Sequence, residues 1–333
     1  MTLEESQYET VTADETVPAD IMSEASEEKS GSKSNLATLL LGTAAEFLGS
    51  LLIFVSIYLI SAISMTLYGP NVILSSLTTG LAYALMIVIF GRFSGGQFNP
   101  AVTLAAILTG KTNIWNGIAY IVAQVLGGIV AGGITILVLP VSQTVPAQTW
   151  FAKAINGFGS NSISAASLQN TRLNFGLLLA IIVEIIAGLI ITSAALHSMD
   201  DDGKPTDTAA VVMGAAYALG AAITHPVTGA SLNPARATGI AIFAHGSGLP
   251  VDPLAQLLYF WICPIFAATI VVAISMIGQT IEDRQSNEHQ IDDDIFIEET
   301  AKAPQTEATD TDDADVQNAP GASLGASAGD ALE

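Results

Sequence analysis

The residues with the clearest chemical purpose form two copies of one phrase. They are Ser94-Gly95-Gly96-Gln97-Phe98-Asn99-Pro100-Ala101-Val102-Thr103 and Thr228-Gly229-Ala230-Ser231-Leu232-Asn233-Pro234-Ala235-Arg236-Ala237. Asn is a good helix N-cap and Pro suits the first helical position. Each phrase therefore predicts a loop, a cap and a short apolar helix, ending at Gly110 or Gly246 where glycine closes a helix. Such helices are roughly 10 residues long, half of the about 20 needed to cross a bilayer. A helix N-terminus carries unpaired N–H groups and roughly half a positive charge. Two of them meeting at mid-membrane, with the amides of Asn99 and Asn233, would donate to a passing water or hydroxyl and repel cations. Arg236 follows Asn233 by three positions, where the first copy has Val102. A guanidinium at membrane depth is costly and faces a water-filled cavity or a partner. No carboxylate neighbours it in sequence, which favours a fixed donor and cation repeller at an outer constriction.

The elements that must hold these residues are apolar runs at about 36–63, 72–91, 114–139, 173–197, 208–224 and 254–280. The order is span, span, half-helix, span, and then the same again. Three spans per copy is an odd number, so the second copy enters the membrane from the opposite side. The predicted fold is an all-α membrane protein: six transmembrane helices plus two re-entrant half-helices in an inverted repeat, with a functional site near the midplane. The channel domain would cover 36–280, with repeats at about 36–139 and 173–280. Glu46 matches Glu184, and Tyr120 matches Tyr259. Gly49, Gly127, Gly128, Gly132, Gly188, Gly214 and Gly220 supply small residues for close helix contact.

Charge is segregated. Only 12% of the 333 residues are charged, the net charge is -21, and half of the chain is hydrophobic. Roughly 24 of the 31 acidic residues lie before Asn35 or after Thr280. Residues 1–35 and 281–333 read as acidic, disordered cytoplasmic tails. Such a balance argues against nucleic-acid binding, which needs basic clusters. Cys263 is the only cysteine, so no intrachain disulfide forms. With no His/Cys metal cluster, no nucleophile beside a base and no phosphate loop, the sequence suggests neither enzyme, metal nor cofactor. Lys29, Lys33, Lys111, Lys204 and Arg284 outnumber Lys153 and Arg172 across the predicted faces, which puts both termini in the cytoplasm.

The paired Asn-Pro-Ala phrases, together with Ala45-Glu46-Phe47, Ala123-Gln124, Asn156-Gly157-Phe158-Gly159 and Phe260-Trp261, resemble the aquaporin and glycerol-facilitator family, the major intrinsic proteins. The resemblance covers about 36–280. It implies a homotetramer with one pore per subunit, in the cell membrane, passing water and small neutral solutes. It implies an outer filter of Thr79, Ala221, Ala230 and Arg236, and loop-bracing roles for Glu46, Glu184 and Gln124. Strict water channels and glycerol facilitators of this family place aromatics in the filter, so Thr79, Ala221 and Ala230 predict a wide one that admits solutes such as glycerol. Ala237, where glycerol facilitators have Asp, points instead to the water-channel subgroup.

Other polar groups read more plainly. Arg92 is a positive-inside charge or a gate, His225 before Pro226 is a loop residue or a pH-sensing group near the outer mouth, and His197 and His245 sit at helix ends. The competing function is a secondary transporter, which also uses inverted repeats and broken helices. It lacks support here because no acid accompanies either Asn-Pro-Ala start.

Overall fold

The structure is a computed structural model that describes residues 19–302. Helices run in the order α1 Ala19–Tyr68, α2 Val72–Ser94, α3 Pro100–Leu108, α4 Ile114–Val138, α5 Ala147–Ala154, α6 Ala165–Leu168, α7 Leu177–His197, α8 Ala209–Thr228, α9 Pro234–Ala244 and α10 Pro253–Lys302. Among the described residues six segments are long and apolar enough to span: Leu36–Tyr68, Val72–Ser94, Ile114–Val138, Leu177–His197, Ala209–Thr228 and Pro253–Ser286. The chain is thus a multi-span membrane protein. Among the described residues there is no strand beyond one bridge, Met199 to Pro205.

The half-helices form as the local sequence requires. Asn99 caps α3 by accepting from the Ala101 N–H, and Asn233 caps α9 by accepting from the Ala235 and Arg236 N–H groups, with Pro opening each helix. Each ends just before a left-handed glycine, Gly110 at φ 76° and Gly246 at φ 68°. They are 9 and 11 residues long.

Packing follows the inverted repeat. The apolar residues Leu77, Leu81, Leu85 and Val88 of α2, and Val122, Leu126 and Val130 of α4, are exposed at helical spacing, as a lipid-facing surface requires. The interior instead holds Phe54, Tyr58, Tyr83, Phe98, Tyr217 and Ile240 together with polar Glu46, Gln124, Glu184 and both motif asparagines. α2 packs along α8, and α4 along both α1 and α9. Close approach depends on missing side chains: a Cβ on Gly80 would lie 2.5 Å from the Gly214 carbonyl, and one on Gly132 2.5 Å from the Gly239 carbonyl. Gly80 and Gly214 stand the same number of positions before their Asn-Pro-Ala, so the α2–α8 contact straddles the pseudo-two-fold axis.

Three boundaries differ from the sequence reading. Residues 19–35 and 281–302, expected to lack structure, are helical continuations of α1 and α10. Elongating an existing helix costs far less than nucleating one, and Glu, Ala, Lys and Gln in these stretches are good helix formers. The rest of both predicted tails lies outside the described residues. The fifth span runs to Thr228 rather than 224, with Pro226 inside it. A proline so near a helix end breaks little, and the hydroxyls of Ser162 and Ser164 donate to the Pro226 carbonyl at 3.1 and 2.7 Å.

Candidate functional site

Two buried carboxylates shape the loops that enter the half-helices. Glu46 accepts four hydrogen bonds: Ser94 Oγ at 2.6 Å, Gln97 N at 2.9 Å, Phe98 N at 2.6 Å and Gln124 Nε2 at 2.7 Å. Glu184 accepts three: Thr228 Oγ1 at 2.5 Å, Ser231 N at 3.1 Å and Leu232 N at 3.0 Å. Gln124 also donates to Thr103 Oγ1 at 2.9 Å, tying α4 to α3. The residue before each motif asparagine has positive φ without being glycine, Phe98 at 45° and Leu232 at 58°. Such a backbone persists only where its surroundings fix it. Here the N–H is held by the carboxylate, and the carbonyl is held by the asparagine of the other repeat.

That second tie brings the two motifs together. Asn99 Nδ2 donates to Leu232 O at 3.0 Å, and Asn233 Nδ2 donates to Phe98 O at 2.7 Å. Each amide has one more hydrogen to give. Asn99 gives it to the Tyr217 hydroxyl at 2.9 Å, and Asn233 to the Tyr83 hydroxyl at 2.8 Å. The tyrosine rings stack with centroids 3.3 Å apart and planes 6° from parallel. Both asparagines and both tyrosines are at most 1% exposed. The sequence reading aimed the amides at a passing water; in this conformation both are spent on tyrosine hydroxyls and loop carbonyls. The tyrosines were missed, although a signal existed: Tyr83 precedes Asn99, and Tyr217 precedes Asn233, by the same 16 positions.

Arg236 is 3% exposed and held by neutral oxygens. Its Nη1 donates to Asn156 Oδ1 at 3.1 Å, to Ser231 O at 3.4 Å and to the Ala230 carbonyl, and Nη2 donates to Gly229 O at 3.2 Å. Asn156 in turn donates to the Thr228 and Gly229 carbonyls at 3.2 and 3.0 Å. No carboxylate forms an ion pair with Arg236 among the described residues, where the pairs are Lys111–Asp201 and His245–Asp252. Its Nε–H has no partner among the described residues.

The remaining sequence candidates lie on α2, on α8 and at the two ends of α9. Ala230, at φ 57°, touches Arg236 through its carbonyl. Thr79 is buried on α2 with its hydroxyl turned back to Ser75 O at 2.8 Å, and Ala221 is fully buried on α8. An aromatic does stand by the guanidinium, though not at the aligned positions: the Tyr58 ring of α1 lies 6.0 Å from it, and the Tyr58 hydroxyl donates to the Arg236 carbonyl. His225 is not a loop residue. It is buried on α8, four positions beyond Ala221 and on the same helix face, and neither ring nitrogen has a partner among the described residues. Arg92 ends α2, exposed, with its guanidinium 4.5 Å over Phe93. His245 caps α9 and meets Asp252 at 2.5 Å.

This geometry has the construction of a membrane channel built on two half-helices, and comparison with known proteins agrees. The Major intrinsic protein family matches residues 21–274, so the chain belongs to that family. It is 33% identical over 232 residues to "Aquaporin Z" of Photorhabdus laumondii, covering 68% of this chain and 92% of that protein. It is also 33% identical over 208 residues to "Glycerol uptake facilitator protein-like 6" of Lactiplantibacillus plantarum, covering 62% and 85%. Its fold is similar to the X-ray structure of the aquaglyceroporin from Plasmodium falciparum, with TM-score 0.52 and 18% identity over 71% of this chain and 94% of that one.

Proposed function

We propose that this protein is a passive channel for water and small uncharged solutes such as glycerol, with its pore passing between the α3 and α9 N-termini. The observation that carries this reading is the junction of Asn99 and Asn233, where two half-helix N-termini face each other across the repeat axis. Their positive ends disfavour cations, and Arg236 adds a fixed charge with an unpartnered Nε–H on one side only. Arg236, Thr79, Ala221 and Ala230 form the outer filter, and Glu46, Glu184 and Gln124 brace the loops. Both termini face the cytoplasm of a cell-membrane protein that assembles as a homotetramer. The small side chains at the filter favour glycerol passage alongside water, which is also in keeping with the names of its two relatives.

Stopped-flow light scattering on proteoliposomes, with water, glycerol and urea gradients side by side, tests the reading. Flux above protein-free vesicles, insensitive to proton and sodium gradients, is expected for water and glycerol. The pair Thr79→Phe with Ala221→His is expected to lower glycerol flux several-fold relative to water. Flux that needs a coupling gradient would overturn the channel, and glycerol flux that survives the pair would overturn the filter assignment.

A further inference from the structure

We infer that the controlling constriction of this pore is the stacked pair Tyr83 and Tyr217 at the Asn-Pro-Ala junction, so that size and hydrogen-bonding selection occur at the centre. The inference rests on the channel reading above and locates where that channel is narrowest. Four observations meet at this point. The tyrosines come from symmetry-related helices, α2 and α8, at the same interval before each motif. Their hydroxyls accept the second hydrogen of each asparagine amide, so neither amide is left to bind a solute. Their rings are in face-to-face contact at 3.3 Å, which leaves no gap for a water, a sphere of about 1.4 Å radius. They are buried to 1% or less.

The location follows from helix geometry. Tyr83 lies four positions after Thr79, and Tyr217 four before Ala221, so each is one turn, about 6 Å, from the outer filter along the same helix face. At the filter those faces carry small side chains; one turn deeper they carry two rings. Anything that passes must part the rings and take over the amide hydrogens that the phenols now accept. A solute able to accept from Asn99 and Asn233 while exchanging bonds with a hydroxyl meets both needs. Water and small polyols qualify, whereas an apolar solute offers no exchange for the broken bonds.

The experiment is water and glycerol flux per reconstituted copy of the full chain, for wild type, Tyr83→Ala/Tyr217→Ala and the single variant Tyr217→Leu. Leu keeps buried apolar bulk on α8 while ending the stack and freeing the Asn99 amide. The alanine pair is expected to raise water flux at least tenfold and glycerol flux with it, and Tyr217→Leu about threefold. Where the alanine pair is not monodisperse in detergent, Tyr217→Leu decides. Wild-type flux above protein-free vesicles that the variants leave within 1.5-fold would overturn the central constriction alone. Wild type and variants all matching protein-free vesicles would instead sink the channel reading, and this inference with it.

Discussion

The two loops that enter α3 and α9 are built alike for eight positions, through the Ala of Asn-Pro-Ala, and then part company. Ser94 and Thr228 both give a hydroxyl to a buried glutamate, and Gly95 and Gly229 both close a helix in the left-handed region. The next residues, Gly96 and Ala230, also have positive φ, and the two after them give N–H groups to the same glutamate. Asn99 and Asn233 then cap their helices and reach across. Three residues later one loop has Val102 and the other Arg236. The shared part anchors backbone, which each repeat needs equally. The unshared residue adds a charge to only one end of the junction. The tyrosines belong with the shared part, and their ring contact lies at the junction of the two motifs rather than beside the arginine.

The anchoring itself is unequal, and substitution exposes this with the largest expected effect. Glu46 has two donors on each carboxylate oxygen, whereas Glu184 has two on one and only Leu232 N on the other. A Gln side chain replaces one oxygen by an NH2. The Ser94 and Thr228 hydroxyls can turn and accept from the new NH2, so each variant strands at least one buried backbone N–H, Gln97 or Phe98 in Glu46→Gln and Ser231 or Leu232 in Glu184→Gln. At about 1–3 kcal/mol for each buried group left unsatisfied, both variants lose stability, and Glu46→Gln loses the more where the Gln124 donor is stranded as well. Thermal unfolding in detergent, followed by size-exclusion, measures the two; a larger loss for Glu184→Gln would remove the asymmetry.

Charge is the next difference to break. Arg236→Val makes the second loop match the first, and proton or cation leak, read with a trapped pH dye, is expected to rise about tenfold, a change of about 1.4 kcal/mol in the barrier. Val102 stays as the internal reference, since Val102→Ala leaves the charge pattern intact and is expected not to leak. Loss of rejection in both variants would mean that packing, rather than the guanidinium, excludes ions.

The smallest effect lies outside the membrane. The Asp252 carboxyl accepts from Leu254 N at 2.9 Å at the start of α10 and pairs with His245 at the end of α9. The Leu254 N–H, and then the histidine, hold its pKa below the usual carboxylate value. A depressed folded-state pKa stabilises above the unfolded value of about 3.9 and loses that stabilisation as pH falls through the folded one. Asp252→Asn is therefore expected to lower Tm slightly at neutral pH, with the gap to wild type closing in acid. A gap that persists at low pH would assign the effect to the cap rather than to the charge.

Much of the fold was legible in the chain because membrane helices announce themselves by length and apolarity, and because Asn-Pro at a helix start is a local signal. Bracing by Glu46 and Glu184 is an expectation of the resemblance alone, and which donors reach each carboxylate could not be read from the chain. The surroundings of Arg236 were harder. His225 reads as a loop residue because it precedes proline, yet proline in the final turn of α8 leaves the helix intact. Tyr58 was missed because it comes from α1, far in sequence from Arg236. Tyr83 and Tyr217 were passed over because an apolar span with a tyrosine in it looks like core packing, and only their matched spacing set them apart.

Composition and spacing alone determined that this is a multi-span membrane protein with two half-length helices, each capped by Asn-Pro-Ala. Those features are local: a bilayer fixes how long a span must be, and a cap depends on its own next few residues. The three-dimensional packing decided which side chains the two motifs face. Asn99 meets Tyr217 and Asn233 meets Tyr83 across intervals of 118 and 150 residues, and no local preference encodes a contact made only when two inverted halves close on each other.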